Sequence, residues 1–183
     1  MRVFRAAAVL ALAVAAAAPA SFAAPAADPA VAKLSALHGK AFDVAFLQMV
    51  IPVNDEAAEM ASTATLYADH PDLLHWNQDY IEREHRQVQA MLAWLAEMGA
   101  QPAERYEGVA TPSVKQLRTL RGAALERTYV SLMTQHLDRT AALAALAAKQ
   151  ADRSELRTFA ASEAAADGHD ATMLQGWVKT WYH

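Results

Sequence analysis

The chain has 183 residues, 54% of them hydrophobic and 20% charged, with six glycines, seven prolines and no cysteine. About a quarter of it is alanine, the strongest helix former among the amino acids, and its length suits one domain with a proper buried core. Without cysteine there are no disulfides, thiolate zinc sites, cysteine nucleophiles or lipidated N-terminal cysteine. The formal charge of −4 lacks the basic excess of a nucleic-acid binder, so no nucleic-acid partner is expected.

Residues 1–23 read as a signal peptide. Arg2 and Arg5 form a positive start, residues 6–18 are an unbroken apolar run, and Ser21-Phe22-Ala23 offers small residues for cleavage. That run is too short for a membrane span, which needs about 20 residues, and no other stretch reaches span length. A soluble, exported protein, periplasmic or secreted, is the expectation. Cleavage leaves 14 basic against 20 acidic residues, a charge of −6. Residues 24–33, rich in Pro and Ala, read as a disordered linker. Residues 34–183 then form the folded domain.

From Leu34 onward the apolar spacing is helical. A first helix carries Phe42, Phe46, Met49, Val53, Ala57, Met60, Ala64 and Tyr67 on one face, with Pro52 predicted to kink or break it. His70-Pro71-Asp72 is a turn, with Pro71 as a first helical residue. The second helix carries Leu74, Ile81, His85, Val88, Leu92, Leu95 and Met98, and Gly99 ends it. Residues 101–112 form the one long connection. A third helix opens near Thr111-Pro112 or Ser113, with Leu125, Tyr129, Leu132, His136, Thr140, Leu143 and Ala147 on its stripe. Asp152 to Ser154 make a short turn, and the fourth helix carries Phe159, Ala166, His169, Met173 and Trp177.

The halves resemble each other. Leu37-x-Gly39-x-Ala41-Phe42-Asp43-x-x-Phe46 returns as Leu120-x-Gly122-x-Ala124-Leu125-Glu126-x-x-Tyr129. The predicted fold is all-α: a ferritin-like four-helix bundle built from two similar helical hairpins.

His85, His136 and His169 each fall near the midpoint of a different helix, on its predicted apolar stripe. Midpoints of antiparallel helices share one level, so three imidazoles there could converge on a metal. Met49, Met60, Met133 and Met173 lie on or beside the same stripes, and thioether sulfur beside imidazole favours copper over hard cations. The candidate metal residues are therefore His85, His136, His169, Met49, Met133 and Met173, with a copper or zinc ion and no organic cofactor. The competing reading is plain. A histidine on an apolar face is more often a hydrogen-bonded core residue, and methionines there are more often filler.

A di-iron carboxylate site needs two Glu-x-x-His motifs and two further glutamates. Glu82 to His85 supplies one, but Ala166 stands where the second needs its glutamate. Phosphate loops, nucleophile elbows and Ser-His-Asp motifs are missing too, so an enzyme has no named machinery. The aromatic ending from Trp177 to His183 reads as a cap on the bundle's end, or as a patch for a protein partner. A homodimer through helix faces is the other partner reading.

Ile81-Glu82-Arg83-Glu84-His85, Leu120 to Tyr129, Gln135-His136, Phe159-Ala160 and His169 together resemble the secreted ferritin-like family of unknown function numbered 4142. Phe46-Leu47-x-x-Val50-Ile51-Pro52-Val53-Asn54-x-x-Ala57-x-x-Met60-Ala61, with Met91-x-x-Trp94-Leu95, is similar to the signature of family 305. The resemblance implies a secreted four-helix bundle. Through the second family it also implies periplasmic copper binding by paired histidines and methionines. Val53-Asn54 stands where that pair is expected. Two functions follow: an exported bundle binding copper or zinc through core histidines, or a metal-free envelope protein acting structurally or through a surface.

Overall fold

The computed structural model describes residues 28–103 and 110–182. The predicted signal peptide and residues 24–27 of the linker lie outside the described residues. Helix α1 (Pro29–Ser35) occupies the end of the predicted linker. Pro29 suits a first helical turn, and the Asp28 side chain accepts from Ala30 N at 2.7 Å. Leu34, fully buried, ties this short helix to the core. A Pro/Ala composition without periodicity therefore hid a capped turn and its single anchor.

Four long helices make the body: α2 (Gly39–Thr65), α3 (Pro71–Glu97), α5 (Gly122–Gln150) and α6 (Ser154–Trp181). A second short helix, α4 (Pro112–Arg118), precedes α5, with Thr111 as its cap. The sequence pattern ran these two together. They separate because α5 begins at Gly122, whose φ of +54° is a left-handed conformation open chiefly to glycine. Gly39 opens α2 in the same way, at φ +58°. Pro52 does not break α2, which runs unbroken past it. The lost backbone bond is outweighed by the burial of Val50, Ile51, Asn54 and Ala57 around it. Gly99 ends α3 as predicted, in a Schellman arrangement with Ala100 N donating to Leu95 O and Gly99 N to Ala96 O, each at 2.9 Å.

The core falls into two apolar clusters. One holds Ala57, Met60, Leu73, Trp76, Tyr80, Val114, Leu117, Leu125, Tyr129 and Leu174. The other holds Phe42, Phe46, Leu47, Val88, Met91, Leu95, Leu143, Leu156 and Ala160. The last turns of α3 lie in the second cluster, and the first turn of α5 lies in the first. The end of α3 and the start of α5 therefore stand at opposite ends of the bundle. Each long helix then runs antiparallel to its sequence partner, as in bundles with one long crossover.

Two buried carboxylates fasten each hairpin to the other. Asp43, in the first turns of α2, accepts from Asp152 N and Arg153 N at 2.9 Å each, at the start of α6. Glu126, in the first turns of α5, accepts from Asp69 N at 2.6 Å and His70 N at 3.0 Å, at the start of α3. Neither receiving helix has a side-chain cap of its own. An anion from the opposite hairpin thus meets the exposed N–H groups and the positive end of the helix dipole. His70 Nδ1 also lies 2.5 Å from Glu126 Oε2, and Tyr182 donates to the same carboxylate. Burial alone would raise the Glu126 pKa. The bonds from Tyr182 and from the His70 and Asp69 amides instead hold it below the usual carboxylate range. Trp181 stacks on His70 at 4.0 Å, so the aromatic ending is packed against its own chain.

Glu126→Ala is expected to cost about 2–4 kcal/mol and Asp43→Ala about 1–2 kcal/mol in urea unfolding. Changes below about 0.5 kcal/mol would show that the clamps hold nothing.

Candidate functional site

Between the two clusters lies a polar layer with one buried group from each long helix: Asn54 of α2, Glu84 of α3, Thr140 of α5 and Asp167 of α6. All four sit within a turn or so of their helix midpoints, which is why they share a level. Glu84 is only 2% exposed and Asp167 5%. Around them, Thr140 Oγ1 lies 2.6 Å from Asp167 Oδ2. Arg83 Nη2 donates to Asp170 Oδ2 at 2.8 Å, and Gln87 Nε2 to Glu163 Oε1 at 2.7 Å. These last two bonds run across the α3–α6 face.

Four carboxyl groups and one arginine in this layer leave an excess of acid away from water. Burial pushes the Glu84 carboxyl up to about 8, helped by Glu163 and Asp167 and opposed by Arg83 and Asn54. Burial likewise pushes Asp167 up to about 7; Thr140 and Arg83 oppose it while Glu163 and Asp170 add to it. Glu84 is thus largely a neutral acid at pH 7. Its Oε2 and the Asn54 Oδ1 are both buried without a hydrogen-bond donor. A proton on Glu84 turns one of these acceptors into a donor, which is the form burial favours.

The predicted histidines do not converge. His85 and His169 are exposed. The core-facing places belong to their neighbours, Glu84 on α3 and Asp167 and Asp170 on α6. The predicted stripes were turned by about one residue, because alanine-rich helices give little contrast between faces. His136 alone lies inward, its Nε2 3.1 Å from the Tyr80 hydroxyl. Burial first, and then Arg139, lowers its pKa to about 4, so it is neutral at physiological pH. Met133 is fully buried in the first cluster and Met173 packs against it, while Met49 packs against the second cluster. The six predicted ligands therefore form no single site. Among the described residues no three His, Asp or Glu side chains group to hold a metal. Sequence reasoning missed the acids, although Glu82 to His85 carried the signal: the glutamate beside the histidine was the buried one.

A cleft of about 200 Å³ opens beside the layer, lined by Val53, Glu56, Met60, Leu132, His136 and Arg139 among others. It brings together the inward His136, the buried Met60 and Val53 of the Ile51-Pro52-Val53-Asn54 segment. Among the described residues no helix is long and apolar enough to cross a membrane.

Residues 12–95 match the family model of the domain of unknown function 305, DUF305. The matched family is thus the second of the two resemblances, rather than 4142. No curated protein matches the chain. Among solved structures, the bundle is similar to CopM in its Cu(I)-bound form, with a TM-score of 0.68 and 20% identity over 77% of this chain and 98% of that one. CopM has also been solved in Cu(II)-bound and silver-bound forms. A DUF305 protein from Streptomyces coelicolor, named as secreted, gives a TM-score of 0.65 at 20% identity, over 72% of this chain and 87% of that one. A DUF305 fragment from Deinococcus radiodurans gives 0.67 at 18% identity, over 75% and 95%. At such identities the likeness establishes the fold.

The pH dependence of stability follows from the layer. Glu84 and Asp167 have folded pKa values raised above their ordinary 4.5 and 3.8. Their contribution is complete below those values and is lost as pH rises toward 7 to 8. His136 has a folded pKa lowered from 6.5, so its contribution is present above 6.5 and lost as pH falls toward 4. Stability should peak in mildly acidic solution. Glu84→Gln should gain on the order of 3 kcal/mol relative to wild type between pH 5 and pH 8.5 in urea titrations. Parallel profiles for the two proteins would contradict the assignment.

Proposed function

We propose that this protein is an exported member of the DUF305 group that captures a soft cation, copper foremost, at the cleft holding His136 and Met60. The observation that carries the reading is the pairing of a neutral imidazole and a thioether in one cleft beside the Ile-Pro-Val-Asn segment. In the resembling family that segment carries the histidine pair. An imidazole held unprotonated by burial is already in ligand form, without a proton to displace. In the tautomer whose Nε2–H donates to the Tyr80 hydroxyl, 3.1 Å away, Nδ1 keeps the lone pair and Tyr80 fixes the ring as an outer-shell partner would. Imidazole and thioether are the soft end of the donor range and suit Cu(I) better than Mg²⁺ or Ca²⁺.

This differs from the predicted set in a definite way. His85 and His169 stand outside the cleft, and Met49, Met133 and Met173 are packing residues. Zinc, which favours four nitrogen, sulfur or carboxylate ligands, is supported less than copper by this pair of donors. Bound copper would supply redox-active, thiophilic chemistry; the chain's part is to hold His136 neutral and to keep Met60 dry. The copper-bound and silver-bound forms of the structurally similar CopM support the same class of cargo. Export is supported by the leader-like residues 1–23 and by the secreted DUF305 relative in fold.

Mature protein is expected to bind one Cu(I) per chain under reducing conditions, measured by competition with a chromophoric chelator and by elemental analysis. His136→Ala and Met60→Leu should each weaken binding at least tenfold, while His85→Ala and His169→Ala leave it unchanged. Wild-type protein that takes up no stoichiometric copper would overturn the reading in favour of a metal-free envelope protein.

A further inference from the structure

The polar layer carries more carboxylates than a packed bundle needs, and its hydrogen bonds can exist in two arrangements. Thr140 has a single hydroxyl proton. Its oxygen lies 3.1 Å from the His136 carbonyl and 2.6 Å from Asp167 Oδ2. When Asp167 is neutral it donates to Thr140, which is free to donate back to the His136 carbonyl within α5. When Asp167 is ionised it must accept, and Thr140 turns its proton toward α6. Glu84 has a similar choice: ionised, it accepts from the Asn54 side chain, and neutral, it gains a proton to donate beside the buried, unpartnered Asn54 Oδ1. In the neutral arrangement the two acids satisfy α2 and α5. In the ionised one they place two negative charges between Glu163 and Asp170, with Arg83 as the adjoining cation.

We propose that this layer is a proton-operated switch that sets how firmly α6 is held against α3 at the middle of the bundle. The groups facing it can be named for each helix. From α2 comes the Asn54 amide. From α3 come Arg83, Gln87 and Tyr80, and from α5 come Thr140, His136 and Arg139, the last lying over the histidine. From α6 come Glu163, Asp167 and Asp170. Protonation closes the layer: the acids become donors, and the Arg83–Asp170 and Gln87–Glu163 bonds tie the α3–α6 face. Deprotonation opens it, because repulsion among Glu84, Glu163, Asp167 and Asp170 acts across that face. The two apolar clusters on either side stay packed, which confines the change to the waist.

Native-state hydrogen exchange of the metal-free mature chain tests this, with rates corrected for the intrinsic effect of pH. Amides from Glu163 to Ala171 should lose protection at least tenfold more between pH 6 and pH 8.5 than those of α2 from Phe42 to Val50, which follow only the global fall in stability. The double variant Glu84→Gln/Asp167→Asn mimics the protonated pair and should fold at least as stably as wild type. In it the α6 amides should stay protected at both pH values. Arg83→Gln, which removes the cation that eases ionisation of Glu84 and Asp167, should move the loss of protection to higher pH. Unchanged α6 protection in wild type, or an equal loss in the double variant, would overturn the proposal.

Discussion

The constraint on which this structure depends is the burial of carboxylic acids at the centre of an apolar bundle. A lone ionised carboxylate in such a place is prohibitively costly, and the chain meets the problem in two different ways. At the bundle's ends, Asp43 and Glu126 each meet N–H donors at a helix start, and those donors hold Glu126 below the usual carboxylate range. At the waist, Glu84 and Asp167 have too few donors and hold their protons instead. The same side-chain type thus serves as a fixed anchor in one environment and as a titrating group in the other.

The end clamps explain how two hairpins become one domain. Neither hairpin can bury its stripe alone, and each supplies the cap that the other's second helix lacks. The long crossover through α4 places α5 antiparallel to both its neighbours, so that the four midpoints coincide. That coincidence puts Asn54, Glu84, Thr140 and Asp167 in one layer, and it places the His136 cleft beside them. The geometry of the site is therefore a consequence of helix length and connection, not of any local motif.

Much of the fold could be read from the amino-acid order. The Pro71 helix start and the Gly99 stop have local physical causes and stand where the sequence placed them, whereas Gly39 and Gly122 were legible only as a repeated pattern and not as helix starts. The site was harder. On α3 a stripe through Ile81, His85 and Leu92 and one through Tyr80, Glu84 and Met91 differ by one residue, about 100° of helix turn. Apolar residues support both. A charged residue is ordinarily assigned outward, so Glu84 yielded its place to His85 in the sequence reading. On α6 the run of small alanines around Glu163 to Asp170 gave no contrast at all. What decided the register was the tertiary partner: Thr140 for Asp167, and Arg83 for Asp170. The copper-type donor pair of His136 and Met60 shows the reverse. Both residues were visible as stripe residues, but their meeting across α2 and α5 depended on the crossover.

The most direct measurement is the protonation of Glu84 itself, followed by the carboxyl carbon shift of selectively labelled protein in solution. The account predicts that this carboxyl titrates near pH 8 and Asp167 near 7, while Glu126 titrates below its ordinary value. A Glu84 midpoint at an ordinary 4 to 4.5 would contradict the buried, proton-holding layer and everything derived from it.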